Sequence, residues 1–187
     1  MPTVNPMLYH ARPEVETGRP AMEIHTYDIL DKLHIPFLRI DHDALYTMKD
    51  CSYIDAMLGT EVCKNLFLCN SQKTSFYLLM MPGTKKFKTS VFSKQIGSSR
   101  LSFAPPEYMH DLLGLAPGSV TILGLIHDTK HRVRLYMDKT IAESTYLGCH
   151  PCTNTASLRI KTQDIFEKFL PFTGHTAEFV ELPDDPL

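Results

Sequence analysis

The segment Phe76-Tyr77-Leu78-Leu79-Met80-Met81 is apolar at six consecutive positions. Successive side chains of an extended strand point to opposite faces, so both faces of this one must be covered by protein. Such a strand lies inside a sheet, with strands beside it and further layers above and below. It follows residues 62–69 and the polar turn Asn70-Ser71-Gln72-Lys73-Thr74, so the two strands read as a hairpin. The rest of the fold has to be built around that hairpin.

Periodicity places helices over residues 25–33, 50–58, 90–96, 105–113 and 163–170, the last stopped by Pro171. Further strands read at 37–40, 132–137, 145–149, 155–161 and 177–182, with a polar hairpin turn at His127-Asp128 and Lys130-His131. Helices and strands do not alternate regularly. An α+β fold is therefore expected, a mixed sheet with helices around it, in preference to a doubly wound one. Residues 1–21 carry Pro2, Pro6, Pro13 and Pro20 and read as an N-terminal extension, either an extended arm or a poorly ordered leader. Residues 22–187 form the expected single domain.

Hydrophobic residues make up 43% and charged residues 21%, which excludes disordered and fibrous classes. No apolar run approaches the roughly 18 residues of a membrane span, and no apolar signal segment follows the start. Five cysteines are an odd number for a disulfide framework, so a reducing cytoplasm is the expected setting.

The net charge of −2 hides an asymmetry. Residues 62–106 contain no Asp or Glu but hold Lys64, Lys73, Lys85, Lys86, Lys88, Lys94 and Arg100, which leaves −9 for the rest. Either one side of the fold faces a polyanion, or the lysines are scattered over solvated loops.

Lys64 shares a strand face with Leu66 and Leu68. It either snorkels out at the strand edge or lies in a pocket where a ligand uses its charge. Cys149 and Cys152 form a C-x-x-C, but the following Thr-Asn-Thr-Ala-Ser-Leu is β-leaning, so the helix that activates a redox dithiol is missing. No second C-x-x-C completes a zinc set. His150, between Gly148 and Pro151, lies in a constrained loop between strands, and is either structural or aimed at a pocket. Walker, G-x-S-x-G, G-x-G-x-x-G and H-E-x-x-H motifs are absent from the sequence.

Four stretches resemble one family in order and spacing: Cys63-Lys64-Asn65-Leu66-Phe67-Leu68, Gly97-Ser98-Ser99-Arg100-Leu101-Ser102-Phe103-Ala104, Pro117-Gly118-Ser119-Val120-Thr121, and Gly148-Cys149-His150-Pro151 with Asn154-Thr155-Ala156. The chain is similar over residues 22–182 to the YbaK / prolyl-tRNA-synthetase-associated domain family, in its freestanding PrdX or ProXp-ala branch. Departures are Ile122-Leu123, where the family pattern has Pro-Phe, and the leader of 21 residues. The resemblance implies a barrel-like mixed β-sheet surrounded by helices. It implies a trans-editing deacylase that clears alanine from proline tRNA without metal or cofactor.

It further implies Lys64 and His150 as catalytic residues. Asn65, Gly148, Cys149, Pro151 and Asn154 would bind the substrate, with backbone N–H groups of Gly148 and Cys149 available to the ester carbonyl. Lys85, Lys86 and Lys88 are the expected tRNA contacts. Mischarged proline tRNA is the expected partner, prolyl-tRNA synthetase a further one, and no DNA or membrane is involved. Two rivals stand beside this reading: a non-catalytic module that binds tRNA or synthetase, and a thiol enzyme using Cys149 and Cys152.

Overall fold

The computed structural model describes residues 7–44 and 48–184. Among them, eight strands form two sheets. The larger has the order β4-β2-β3-β5-β8, made of β4 (Leu101–Phe103), β2 (Lys64–Asn70), β3 (Phe76–Met81), β5 (Val133–Asp138) and β8 (Ala177–Val180). The expected hairpin is present, with β2 antiparallel to β3 from Lys64 opposite Met81 to Cys69 opposite Phe76. β3 is third of five and buried at all six positions. Its period-two alternation divides the core. Phe76, Leu78 and Met80 join the main cluster with Tyr27, Leu30, Phe37, Phe67 and Leu158. Tyr77, Leu79 and Met81 join a second, with Leu68, Phe92, Tyr136 and Leu182. Each such side chain contributes about 1.5–3 kcal/mol by leaving water, so the hairpin holds both layers at once.

The smaller sheet has the order β1-β7-β6 and is antiparallel throughout, with β1 (Phe37–Asp41), β7 (Ala156–Lys161) and β6 (Tyr146–Cys149). It joins the larger sheet where Val62 bridges Gly148 in parallel, just before β2 begins. There Cys63 N–H donates to Gly148 O at 3.0 Å and Gly148 N–H donates to Glu61 O at 3.2 Å. Among the described residues the two sheets meet at this bridge without closing a full barrel. Helix α2 (Met48–Leu58) lies against β1 and β7, where Ile54 and Leu58 bury with Ile40 and Val62.

Two expectations are corrected. The helix over 163–170 does not stop at Pro171: an α-turn (Thr162–Asp164) passes through a π-turn (Ile165–Phe169) into a last segment, Leu170–Thr173. Pro171 follows the π-turn directly within this continuous run of helical backbone, and Gly174 at φ 70° ends the helix. The chain before β5 is not a hairpin turn, because β5 pairs with β3 in parallel. Instead Ile122–His127 is a 3₁₀ helix, and Asp128 accepts from Arg132 N–H at 3.0 Å and Val133 N–H at 2.6 Å. Of the two readings of the N-terminal extension, its described residues take that of an arm that is tied down. Tyr9 and Arg39 exchange two backbone hydrogen bonds of 2.8 Å, and the Arg39 guanidinium lies 4.3 Å above the Tyr9 ring. Arg12 reaches Asp28, and Arg19 pairs with Glu23 and Asp41. This arm covers the edge of β1 that would otherwise be open. It leads into α1 (Ala21–Lys32).

Candidate active site

The Val62–Gly148 bridge organises the site. Lys64 and His150 each lie two residues beyond their bridging residue, in the same chain direction. The bridge therefore joins the two segments that carry them, at the junction of the sheets. Gly148 is required there: a Cβ on it would lie 2.6 Å from Glu61 O and 2.7 Å from Val62 Cα, which are backbone atoms and cannot swing aside. Glycine lets the two strands touch. The same contact uses up the Gly148 N–H, and strand alternation turns the Cys149 N–H toward β7. These two donors are structural, so the expected oxyanion contact is not available from them.

Lys64 does not snorkel freely. Its Nζ donates to Lys85 O at 2.9 Å, and the residue is half-buried. Burial pulls its ammonium below the ordinary lysine value, against the opposing pull of Glu61. An ammonium has three donors, so two remain for a ligand. Asn65, next on the strand, gives its Nδ2 to Cys63 O at 2.9 Å. Its Oδ1 is buried and has no hydrogen-bond partner among the described residues. A buried acceptor left unpaired is costly, and a donor from a substrate would satisfy it.

His150 is held through Nδ1, 3.0 Å from Ala156 O and 3.5 Å from Ser157 Oγ. Ser157 Oγ is also 2.9 Å from His42 Nε2, and His42 Nδ1 is 2.8 Å from Asp43 O. The two rings stand edge to face, with centroids 6.4 Å apart. Burial lowers the pKa of both histidines, so both are uncharged at neutral pH. His42 and Ser157 escaped the sequence reading. The alternation of β7 marks Ala156, Leu158 and Ile160 as buried, yet Ser157 on the opposite face is fully buried as well, because α2 lies against that face. The only signal was a small hydroxyl residue where a solvated strand would carry a larger polar one.

The motif at residues 117–119 also reaches this region. A Cβ on Gly118, whose φ is 90°, would sit 3.5 Å from Asn154 Nδ2. Pro151, Cys149 and Cys152 are all buried. Burial pushes the Cys63 and Cys152 thiols up to about 12 and the Cys149 thiol upward as well. Almost no thiolate is present at neutral pH, which removes the basis for a thiol nucleophile. Among the described residues, no group of three or more His, Cys, Asp or Glu is placed to hold a metal ion.

The basic block is dispersed. Lys86 and Lys88 are exposed, and Lys88 lines an open groove with Thr89, Ser90, Ser93, Arg100 and Leu101. Lys85 is separated from them by burial. Its Nζ lies 3.3 Å from both Asp138 carboxylate oxygens, 3.0 Å from Leu182 O and 3.0 Å from Asp184. It is an internal ion-pair residue and leaves the list of tRNA contacts. No helix among the described residues is long and apolar enough to cross a membrane.

Two sheets joined at a glycine bridge, with a lysine and a neutral histidine each two residues beyond it, define a mixed α+β domain. Comparison with known proteins places it further. Residues 42–168 match the aminoacyl-tRNA editing domain, and the chain belongs to that family. It is 30% identical over 153 residues to the prolyl-tRNA editing protein ProX of Acetoanaerobium sticklandii, covering 82% of this chain and 93% of the relative. It is 28% identical over 151 residues to the prolyl-tRNA synthetase associated domain-containing protein 1 of Danio rerio, covering 80% and 81%. A solved structure provisionally assigned as a trans-editing enzyme for prolyl tRNA synthetase superposes with a TM-score of 0.63 at 18% identity, over 88% of this chain and 99% of that one. That likeness supports the fold.

Proposed function

We propose that this protein is a freestanding editing hydrolase that deacylates mischarged proline tRNA, with Ala-tRNA(Pro) as its substrate. The observation that carries the reading is the match of residues 42–168 to the editing family, and the Val62–Gly148 bridge supports it by joining the segments that carry Lys64 and His150. In this scheme water attacks the ester carbonyl carbon, the ribose oxygen leaves with a proton, and alanine and intact tRNA are released. Neutral His150 accepts a hydrogen bond from the water through Nε2. The Lys64 ammonium, fixed by Lys85 O, faces the developing oxyanion or the terminal phosphate. Asn65 Oδ1 accepts from the substrate ammonium, which completes its hydrogen bonding. The vicinal ribose hydroxyl assists proton transfer, and no metal or cofactor enters the scheme.

Selectivity follows from size. Alanine is smaller than proline, so a synthetase pocket shaped for proline cannot exclude it and a second sieve is needed. Here the short loop from Gly148 to Pro151 forms the wall, with Cys149, Pro151 and Asn154 around the side chain. Lys86 and Lys88 follow the acceptor stem, and prolyl-tRNA synthetase is the natural source of the substrate.

The test is a deacylation panel with Ala-, Cys-, Ser- and Pro-charged proline tRNA. Fast hydrolysis of the Ala ester with the Pro ester spared supports the reading. Equal cleavage of the Ala and Pro esters refutes editing, and tRNA binding without any cleavage identifies a binding module.

A further inference from the structure

We propose that Ser157 and His42 are positioning residues for His150: a one-way hydrogen-bond chain that fixes which nitrogen of His150 carries the proton. The inference rests on the reading above, in which His150 acts on the ester. Ala156 O and Asp43 O are carbonyl oxygens and can only accept, so His150 Nδ1 and His42 Nδ1 must both carry hydrogen. Each ring is neutral, so each Nε2 holds a lone pair. His42 Nε2 therefore accepts from the Ser157 hydroxyl at 2.9 Å. The hydroxyl has one hydrogen, and it is spent there. What Ser157 offers His150 is a lone pair, 3.5 Å from the Nδ1–H. The direction of every bond is set without assigning any hydrogen arbitrarily.

The consequence is chemical. His150 is locked as the Nδ1–H tautomer, which leaves Nε2 as the base. When Nε2 takes up a proton, the ring becomes a cation whose Nδ1–H already faces two acceptors, Ala156 O and Ser157 Oγ. Hydrogen bonds from a charged donor are about twice as strong as neutral ones, so these two contacts tighten as the reaction proceeds. His42 can serve only while uncharged: protonated at Nε2, it would compete with Ser157 as a second donor and set a like charge 6.4 Å from His150. Its burial, with 7% of its surface exposed, keeps it neutral. A buried serine with no exposed surface, placed between two imidazoles, is accounted for by this role and not by packing volume alone.

Two measurements on the full chain test it. In the protein labelled with ¹⁵N in its histidine rings, His150 and His42 should both show a protonated Nδ1 and an unprotonated Nε2 at pH 7.5, assigned through the His150→Gln and His42→Gln variants. In deacylation of Ala-charged proline tRNA, Ser157→Ala should lower kcat three- to tenfold with KM within twofold, and Ser157→Thr should recover most of it. A proton on His150 Nε2 in the wild type overturns the inference, and that measurement stands even if Ser157→Ala fails to fold. Wild-type kcat in Ser157→Ala, with or without a fall in Tm, overturns it as well, since only packing would then be at stake. If the wild type cleaves none of the charged tRNAs while both rings show the expected tautomers, the editing reading fails and the hydrogen-bond chain remains.

Discussion

Replacing Lys85 by alanine separates an internal lysine from an RNA-binding one. The Lys85 ammonium meets Asp138, Thr140 Oγ1, Leu182 O and Asp184. Burial alone would lower its pKa, but Asp184 and Asp138 more than offset that and the net shift is upward. Asp138 has a side chain only 1% exposed, and its other donors are Thr140 N–H at 2.9 Å and Leu182 N–H at 3.0 Å. Removing one partner of a buried pair costs about 3–5 kcal/mol, since the other charge is left buried. Asp138 keeps its two backbone donors, which argues for the lower end, about 3 kcal/mol. In a chain of this size each kcal/mol moves Tm by roughly 2–4 °C, so a fall of about 6–12 °C is expected. Exposed Lys86→Ala and Lys88→Ala should stay within about 0.5 kcal/mol of wild type. The affinity for tRNA should show the reverse pattern. Lys86→Ala and Lys88→Ala weaken binding and flatten its dependence on salt, while Lys85→Ala leaves both unchanged. Thermal melts and binding titrations from 50 to 200 mM salt read the two properties separately. A Lys85→Ala protein that melts like wild type, or loses more tRNA affinity than Lys86→Ala, would refute the internal assignment.

Lys64→Ala should remove at least about a hundredfold of deacylation while Tm changes little, because its ammonium holds only one carbonyl; kinetics beside a melt decide it. The double variant Cys149→Ser, Cys152→Ser should keep most of the activity, as thiols pushed this far up are not nucleophiles, and chelators should have no effect; loss of activity or stoichiometric zinc would revive the thiol and metal readings. Gly148→Ala forces a Cβ to within 2.6 Å of Glu61 O, so the bridge must open; a loss of about 1–3 kcal/mol together with most of the activity is expected, and a fully active variant would show that the bridge does not place Lys64. Acid should weaken both stability and turnover. His42 and His150 have folded pKa values below the unfolded value of about 6.5, so below that pH the unfolded chain binds more protons and stability declines as pH falls toward the folded values. Melts from pH 8 to 5 check the sign, and a rise in stability over that range would contradict it.

The fold was legible where one strand decided it. Six apolar residues in β3 require a covered central strand, and the alternation of that strand sorted the residues of two cores. Element ends were harder. Pro171 reads as a stop because proline breaks a regular helix, but a π-turn ahead of it changes the register, and nothing in local sequence announces a π-turn. The parallel pairing of β5 was invisible for a related reason. A turn such as the one around Asp128 looks the same whether the next strand returns beside its predecessor or crosses to a distant one.

The candidate site was legible by residue type and not by partner. A lysine at the head of an apolar strand and a histidine between Gly148 and Pro151 are unusual enough to be noticed in one dimension. What those residues touch depends on contacts between segments far apart in the chain. Gly148 looked like a donor to substrate, and its N–H belongs instead to Glu61 O. Lys85 looked identical to Lys86, and only the arrival of Asp138, 53 positions later, makes it internal. Ser157 and His42 are 115 positions apart and carry no motif, yet together with Ala156 O they set the proton of His150. A catalytic group can be recognised by its chemistry, whereas its protonation is a property of neighbours, and those neighbours are assembled only by the fold.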